Sequence, residues 1–230
     1  MRTHWLNLIF PPQCLVCDTL VPEHGTLCAA CWSQVPFATA PMCACCGLPL
    51  EFVVDEHTLC GECLAEHPPY SRARSVFVYN DTSRALVLKL KYQDEQYLAQ
   101  IFGRWLKNAG AELIAASDVI VPVPLHYWRM VRRRYNQSAL IAKVLTRQTG
   151  LPTTLDGLIR RRHTPQQTGL SRAQRQKNVS GAFVVNPKRL PALKGKCVLL
   201  VDDVMTTGAT ANACAAALQK AGAKEVRVLT

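Results

Sequence analysis

Two adjacent carboxylates and a threonine-rich loop near the end of the chain have the residue types and spacing of a ligand site. Asp202 and Asp203 follow an apolar run directly, and after two further residues come Thr206, Thr207, Gly208, Ala209 and Thr210. Hydroxyls and backbone N–H groups of such a loop bind phosphate when the loop opens a helix. We call residues 202–210 the acid–threonine loop. Its composition predicts a phosphate site with two carboxylates beside it.

The elements around this loop predict where it lies. Val198–Val201 is an apolar run typical of a strand that is buried on both faces. Ala211–Ala221 has helical composition, and Gly222 is expected to end that helix. A strand, a turn and a helix in this order place the turn at the carboxyl edge of a parallel sheet, where open α/β sheets bind ligands. The chain contains neither a Walker A motif nor a G-x-G-x-x-G motif.

A second strand–loop–helix unit precedes the first. The apolar run Val119–Pro124 predicts a strand, and the spacing of apolar residues in Ser138–Gln148 predicts a helix. Further predictions are strands at Ser75–Tyr79 and Phe183–Val185, with helices at Thr82–Tyr92 and Tyr97–Ala109. The fold class is therefore α/β, and both loops are expected at one sheet edge.

A basic block lies between the two units. Residues 126–177 contain twelve Lys or Arg and one acid, Asp156. One-sided charge of this kind favours a pyrophosphate pocket or a track for a nucleic-acid backbone, and a solvated basic face is the alternative. The arginines that we single out for the pyrophosphate or nucleic acid are Arg132, Arg133, Arg134, Arg162 and Arg172. The segment 160–178 is predicted to be a mobile loop that runs into a short helix and can close as a lid.

Four C-x-x-C pairs occur before residue 64: Cys14 and Cys17, Cys28 and Cys31, Cys43 and Cys46, and Cys60 and Cys63. Two pairs can complete a tetrahedral site, so eight thiolates predict two zinc ribbons, paired sequentially or interleaved. A redox dithiol and an iron–sulfur cluster are the alternatives. Sites closed by four ligands make both zinc ions structural. Cys45 is a spare or an alternative ligand.

Charge and composition divide the chain. The formal net charge is +11, which falls to about +7 when two zinc ions are held by eight thiolates. A basic chain suggests phosphorylated ligands or nucleic acid, although acids outnumber Lys and Arg up to Pro69.

His67–Tyr70 has the composition of a linker, which predicts domains at 1–70 and 71–230. No run of eighteen apolar residues or signal segment occurs, so we expect a cytoplasmic protein without a membrane span.

These motifs together resemble the ComF/GntX family of competence proteins over nearly the whole chain. Besides the cysteine pairs, the resemblance rests on Val121-Pro122-Val123-Pro124-Leu125, on Arg-x-Asn-Gln at 134–137 and on the acid–threonine loop. It implies a type I phosphoribosyltransferase-like parallel sheet flanked by helices, with a small N-terminal Cys-rich zinc-ribbon domain. It also implies a ligand, phosphoribosyl pyrophosphate (PRPP), bound with Mg²⁺.

The resemblance assigns roles to the acid–threonine loop. Asp202 and Asp203 are the expected catalytic residues and would accept hydrogen bonds from the ribose hydroxyls, while residues 206–210 would bind the 5′-phosphate. The implied function is Mg²⁺-dependent, amidophosphoribosyltransferase-like phosphoribosyl transfer with pyrophosphate release, in the context of DNA uptake or utilisation. Alternatives are a competence factor without turnover, which senses PRPP or binds single-stranded DNA with DNA-uptake proteins, and a structural adaptor.

Overall fold

The computed structural model describes residues 10–92, 95–125, 135–162 and 172–230. Its central element is a four-stranded sheet formed by β1 (Arg72–Arg74), β2 (Val119–Pro122), β5 (Cys197–Val201) and β6 (Glu225–Leu229). The strand order is β1-β6-β5-β2, and all neighbours run parallel. β5 is central, because Val198 pairs with Val119 on one side and Val226 on the other. The strands predicted at 119–124 and 198–201 are confirmed.

Helices connect the strands and cover the sheet. They are α1 (Ala29–Trp32), α2 (Gly61–Ala65), α3 (Asp81–Tyr92), α4 (Glu95–Ala109), α5 (Ala111–Ala115), α6 (Gln137–Thr149), α7 (Arg172–Val179), α8 (Leu190–Leu193) and α9 (Ala209–Lys220). A 3₁₀ turn, Pro187–Arg189, precedes α8. The predicted helices at 82–92, 97–109, 138–148 and 211–221 are confirmed within two residues at each end. Gly222 follows α9 with a φ of 91°, as expected for a residue that ends a helix.

Side chains alternate between two cores because the strands are pleated. Ile120, Leu199 and Leu229 lie in one core with α3, α4 and α6. Val121, Leu200 and Val228 lie in the other, with α9 and a two-stranded antiparallel sheet. That small sheet pairs β3 (Leu158–Arg160) with β4 (Phe183–Val185). β4 was predicted from the sequence, whereas β3 was not.

The first strand was predicted wrongly at Ser75–Tyr79. The strand in the sheet is β1, Arg72–Arg74, and the apolar segment after it bonds to Thr230 through the Val76 amide and then pairs with the Cys-rich region. Phe77 forms an antiparallel bridge with Phe37, and the amide of Ala38 donates to the carbonyl of Val76 over 3.0 Å. The apolar character of this segment was therefore recognised correctly, but the strand of the sheet lies just before it.

The Cys-rich region lies against both cores. The first ribbon (residues 13–35) contributes Leu15 and Val35 to the core that contains α3 and α4. The second ribbon (residues 42–66) packs against the α9 side, where Ala73 of β1 donates to the carbonyl of Cys45 over 2.6 Å. Tyr70, in the segment expected to be a linker, is only 4% exposed. The domain boundary at residue 70 stays a prediction.

Candidate functional site

The acid–threonine loop joins the carboxyl end of β5 to the first turn of α9. Gly208 has a φ of 71°, a left-handed conformation that favours glycine, and it immediately precedes the helix. Its carbonyl accepts the first helical hydrogen bond, from Asn212 N over 2.8 Å. Among the described residues, no side chain caps this helix at Gly208, and the N-terminus of a helix favours an anion.

The Asp202 carboxylate is held from two sides. Its Oδ1 accepts from the hydroxyl of Ser138 over 3.1 Å and from the amide of Asp203 over 2.9 Å. Ser138 is 3% exposed and lies in the first turn of α6. Asn136 caps that helix and also donates from its amide nitrogen to the Val123 carbonyl over 3.0 Å. The two strand–loop–helix units therefore meet at Asp202, as both were expected to reach the same sheet edge.

A small pocket opens beside the loop. It is lined by Glu66, Gln176, Thr207, Ala209 and Asn212, which come from the second ribbon, α7 and the loop with its helix. Within the described part of the chain, the buried atoms Thr207 Oγ1 and Asn212 Oδ1 have no hydrogen-bond partner. Buried polar atoms without a partner are rare, so these two atoms are candidate contacts for a ligand.

The eight paired cysteines form two quartets, Cys14, Cys17, Cys28 and Cys31, and Cys43, Cys46, Cys60 and Cys63, with all sulfur atoms of a quartet within 4.8 Å. Pairing is therefore sequential. The Cys17–Cys28 and Cys46–Cys60 sulfurs are each 3.6 Å apart, close to the edge of about 3.8 Å in a zinc–sulfur tetrahedron. Cys45 is not a member of the second quartet, and its Sγ is 3.9 Å from the Tyr70 carbonyl oxygen.

The electrostatics of the second quartet favour a bound cation. Burial raises the pKa of Cys43, but backbone N–H groups, led by that of Cys60, outweigh it and lower the pKa to about 7. Burial and the neighbouring Cys43 raise the pKa of Cys46 to about 12. Each thiolate therefore disfavours ionisation of the neighbouring thiol. A bound divalent metal would stabilise the four thiolates together. The geometry and donor set fit two structural zinc ions.

Comparison with known proteins identifies two domain families in this chain. Residues 5–64 match the family model described as double zinc ribbon domain, and residues 135–230 match that of the phosphoribosyl transferase domain. Competence protein F of Haemophilus influenzae is 31% identical over 226 residues, which covers 94% of each chain. This chain belongs to the ComF family.

Two further relatives place it within the family. DNA utilization protein YhgH of Escherichia coli K12 is 32% identical, with 96% of each chain covered. Competence protein ComFC of Bacillus subtilis is 25% identical, over 91% of this chain and 89% of the relative. Among the described residues, none of the helices combines the length and apolar composition that a membrane crossing requires.

The structure places the predicted basic residues of this ComF-family chain unevenly. Arg162 donates from one guanidinium nitrogen to the carbonyls of Asn178 and Ser180, over 3.0 and 2.9 Å, at the end of α7. Arg172 begins α7. Arg132, Arg133 and Arg134 lie outside the described residues, as do residues 163–171 of the segment that was expected to act as a lid. A ligand role for these arginines stays a prediction.

Three polar residues at the site were not singled out from the sequence. Ser138 was placed in a helix without a role, although its position directly after the Arg-x-Asn-Gln motif could have indicated one. Asn212 is a polar residue in an alanine-rich helix, which is a weak signal. Glu66 gives no signal at all, because only the packing of the second ribbon brings it to the acid–threonine loop.

Proposed function

We propose that this protein binds PRPP at the acid–threonine loop and transfers its phosphoribosyl group to an acceptor, releasing pyrophosphate, in a process linked to DNA uptake or utilisation. The observation that carries the proposal is the arrangement of Asp202, Asp203 and residues 206–210 between β5 and α9. A left-handed glycine at the N-terminus of a helix suits a 5′-phosphate, and the two preceding carboxylates can accept hydrogen bonds from ribose hydroxyls. The DNA context rests on the relatives named for competence and DNA utilisation.

Different residues of the acid–threonine loop would bind different parts of PRPP. Residues 206–210 bind the 5′-phosphate, and Asp202 and Asp203 accept hydrogen bonds from the 2′- and 3′-hydroxyls of the ribose. As the acceptor forms a bond to C1, the bond from C1 to the pyrophosphate oxygen breaks and its electron pair leaves with pyrophosphate. The carboxylates favour the cationic character at C1. Mg²⁺ bound with PRPP would offset the charge of the leaving group, as would the arginines of the basic block.

Pyrophosphate release tests this proposal directly. The protein is incubated with PRPP and Mg²⁺, with ammonia or nucleobases as candidate acceptors, and free pyrophosphate is measured. We expect acceptor-dependent release in the wild type and its loss in Asp203→Asn. PRPP binding is measured in parallel by calorimetry. Binding without release with any acceptor would leave a PRPP sensor, and the absence of both would contradict the proposal.

A second candidate function is single-stranded DNA binding without turnover. It is favoured by the one-sided charge of residues 126–177, which contain twelve Lys or Arg and one acid. The affinity for an oligonucleotide should then fall steeply with salt, and the double variant Arg132→Glu with Arg133→Glu should weaken it. Binding that ignores salt, or that survives the charge reversal unchanged, contradicts this function.

A further inference from the structure

Tyr70 lies between the second ribbon and the acid–threonine loop. Its side chain is 4% exposed, and its hydroxyl is 4.0 Å from the sulfur of Met205, a residue of that loop. On the other side, its carbonyl faces the thiol of Cys45 at 3.9 Å. The preceding residue is fixed as well, because the amide nitrogen of Gln219, in α9, donates to the Pro69 carbonyl over 2.5 Å. Tyr70 therefore contacts the second ribbon through its backbone and the loop through its side chain.

Glu66 makes a second connection. It follows α2, the short helix that carries Cys63, and its carboxylate accepts a hydrogen bond from Nε2 of Gln176 over 3.2 Å. Both residues line the small pocket that also contains Thr207 and Asn212. This exposed hydrogen bond links the second ribbon to α7, the helix that begins at Arg172, beside the first turn of α9. Nothing in the resemblance or the family models assigns a role to either Tyr70 or Glu66.

The first ribbon provides an internal comparison. It packs on the opposite core, and just after it Phe37 contacts Trp105 with ring centroids 6.4 Å apart. Lys89 of α3 forms an ion pair with its Asp18 at 2.7 Å. These contacts involve α3 and α4, whereas those of Tyr70 and Glu66 reach Met205 and the pocket beside Thr207. The two ribbons are alike in ligands but differ in what they touch.

We propose that Tyr70 and Glu66 are positioning residues of the phosphate site, through which the second ribbon holds the acid–threonine loop and α7 in their ligand-binding arrangement. The proposal deepens the proposed function and rests on it for the identity of the ligand. The positioning itself is a property of the protein alone. It predicts that local motion of the loop depends on two side chains that need not touch the ligand.

Hydrogen exchange measures this motion without any ligand. The amides of residues 203–208 are followed in the zinc-loaded full-length protein and in Glu66→Ala, Glu66→Gln and Tyr70→Leu. We expect exchange to rise about two- to tenfold in Glu66→Ala, the effect of losing one hydrogen bond. Glu66→Gln should stay near the wild type, because its amide oxygen can still accept from Gln176. Tyr70→Leu should raise exchange at least as much as Glu66→Ala does.

The matched control is Phe37→Leu, which removes an aromatic contact to the opposite core just after the first ribbon. It should leave exchange at 203–208 unchanged while all variants keep about two zinc ions. Equal acceleration in Phe37→Leu, or native exchange in Tyr70→Leu and Glu66→Ala, overturns the proposal. PRPP affinity is measured on the same samples and should fall in parallel with exchange. A wild type that does not bind PRPP contradicts the proposed ligand only, since the exchange result stands independently.

Discussion

The hydroxyl of Ser138 donates a hydrogen bond to Oδ1 of Asp202 over 3.1 Å, and this contact joins the two strand–loop–helix units at the sheet edge. Asp202 is thereby oriented by a helix that is distant in sequence. The Asp202 carboxylate also raises the pKa of the fully buried Cys214 thiol, although burial is the larger cause. The charge of Asp202 therefore influences a buried thiol beneath the loop as well as the site itself.

Ser138→Ala tests what this hydrogen bond does. The variant removes a donor to Asp202 and leaves the carboxylate less well oriented, so PRPP binding should weaken about two- to tenfold, the effect of one hydrogen bond. Calorimetry measures the change. Ser117→Ala is the matched control, because the Ser117 hydroxyl bonds to the Leu113 carbonyl over 2.7 Å, away from the site. Equal affinities for both variants would show that the Ser138 contact is only structural.

Gly208→Ala tests the conformation of the loop. An added Cβ would meet nothing closer than Asn212 Oδ1 at 3.7 Å, so the cost comes from the φ of 71° and not from a clash. We expect a stability loss of about 1–2 kcal/mol and a weaker 5′-phosphate site. Gly150→Ala is the control, since Gly150 has a φ of 76° with open space around it at the end of α6. It should lose similar stability in thermal unfolding yet keep its ligand affinity.

The sequence predicts those parts of the fold that are determined locally. Apolar runs and helical spacing give β2, β5 and four helices, because burial on a sheet or a helix face repeats with a fixed period. The C-x-x-C pairs give the metal ligands for a similar reason, since two thiolates at that spacing bind one ion. β3 was missed because Leu158–Arg160 is three residues long and leads into a run of arginines.

The spacing of apolar residues does not show which segments distant in sequence contact each other. Val76 and Phe77 have strand composition, yet the sequence cannot tell that Phe37 of the Cys-rich region pairs with them. The contacts of Tyr70 and Glu66 with the site depend in the same way on how the second ribbon docks. At the candidate site, the loop residues were predictable from their motif, whereas Ser138 and Glu66 required the tertiary arrangement.

Arg162→Ala separates two roles of one arginine. Its guanidinium binds the carbonyls of Asn178 and Ser180, so its loss should loosen the end of α7 and speed amide exchange at 176–180. The side chain is exposed, and the cost in global stability should stay small, about 0–1 kcal/mol. Arg161→Ala is the neighbouring exposed control and should leave exchange in α7 unchanged. If Arg162→Ala leaves α7 unchanged but weakens pyrophosphate or oligonucleotide binding, the guanidinium acts on a ligand instead.

Zinc binding by the second quartet should depend on pH with a defined sign. A metal ligand must be a thiolate, and the N–H groups around Cys43 lower its pKa to about 7. Acidification through pH 7 therefore adds a proton that competes with the metal at Cys43, and the raised pKa of Cys46 means that protons already compete at higher pH, so affinity should fall steadily as the pH is lowered. Metal analysis after dialysis at pH 8 and at pH 5 with a chelator measures this release.

Cys46→Ser should lower the zinc content from about two ions per chain to about one, whereas Cys45→Ser should keep both. A loss of metal in Cys45→Ser would contradict the sequential quartet.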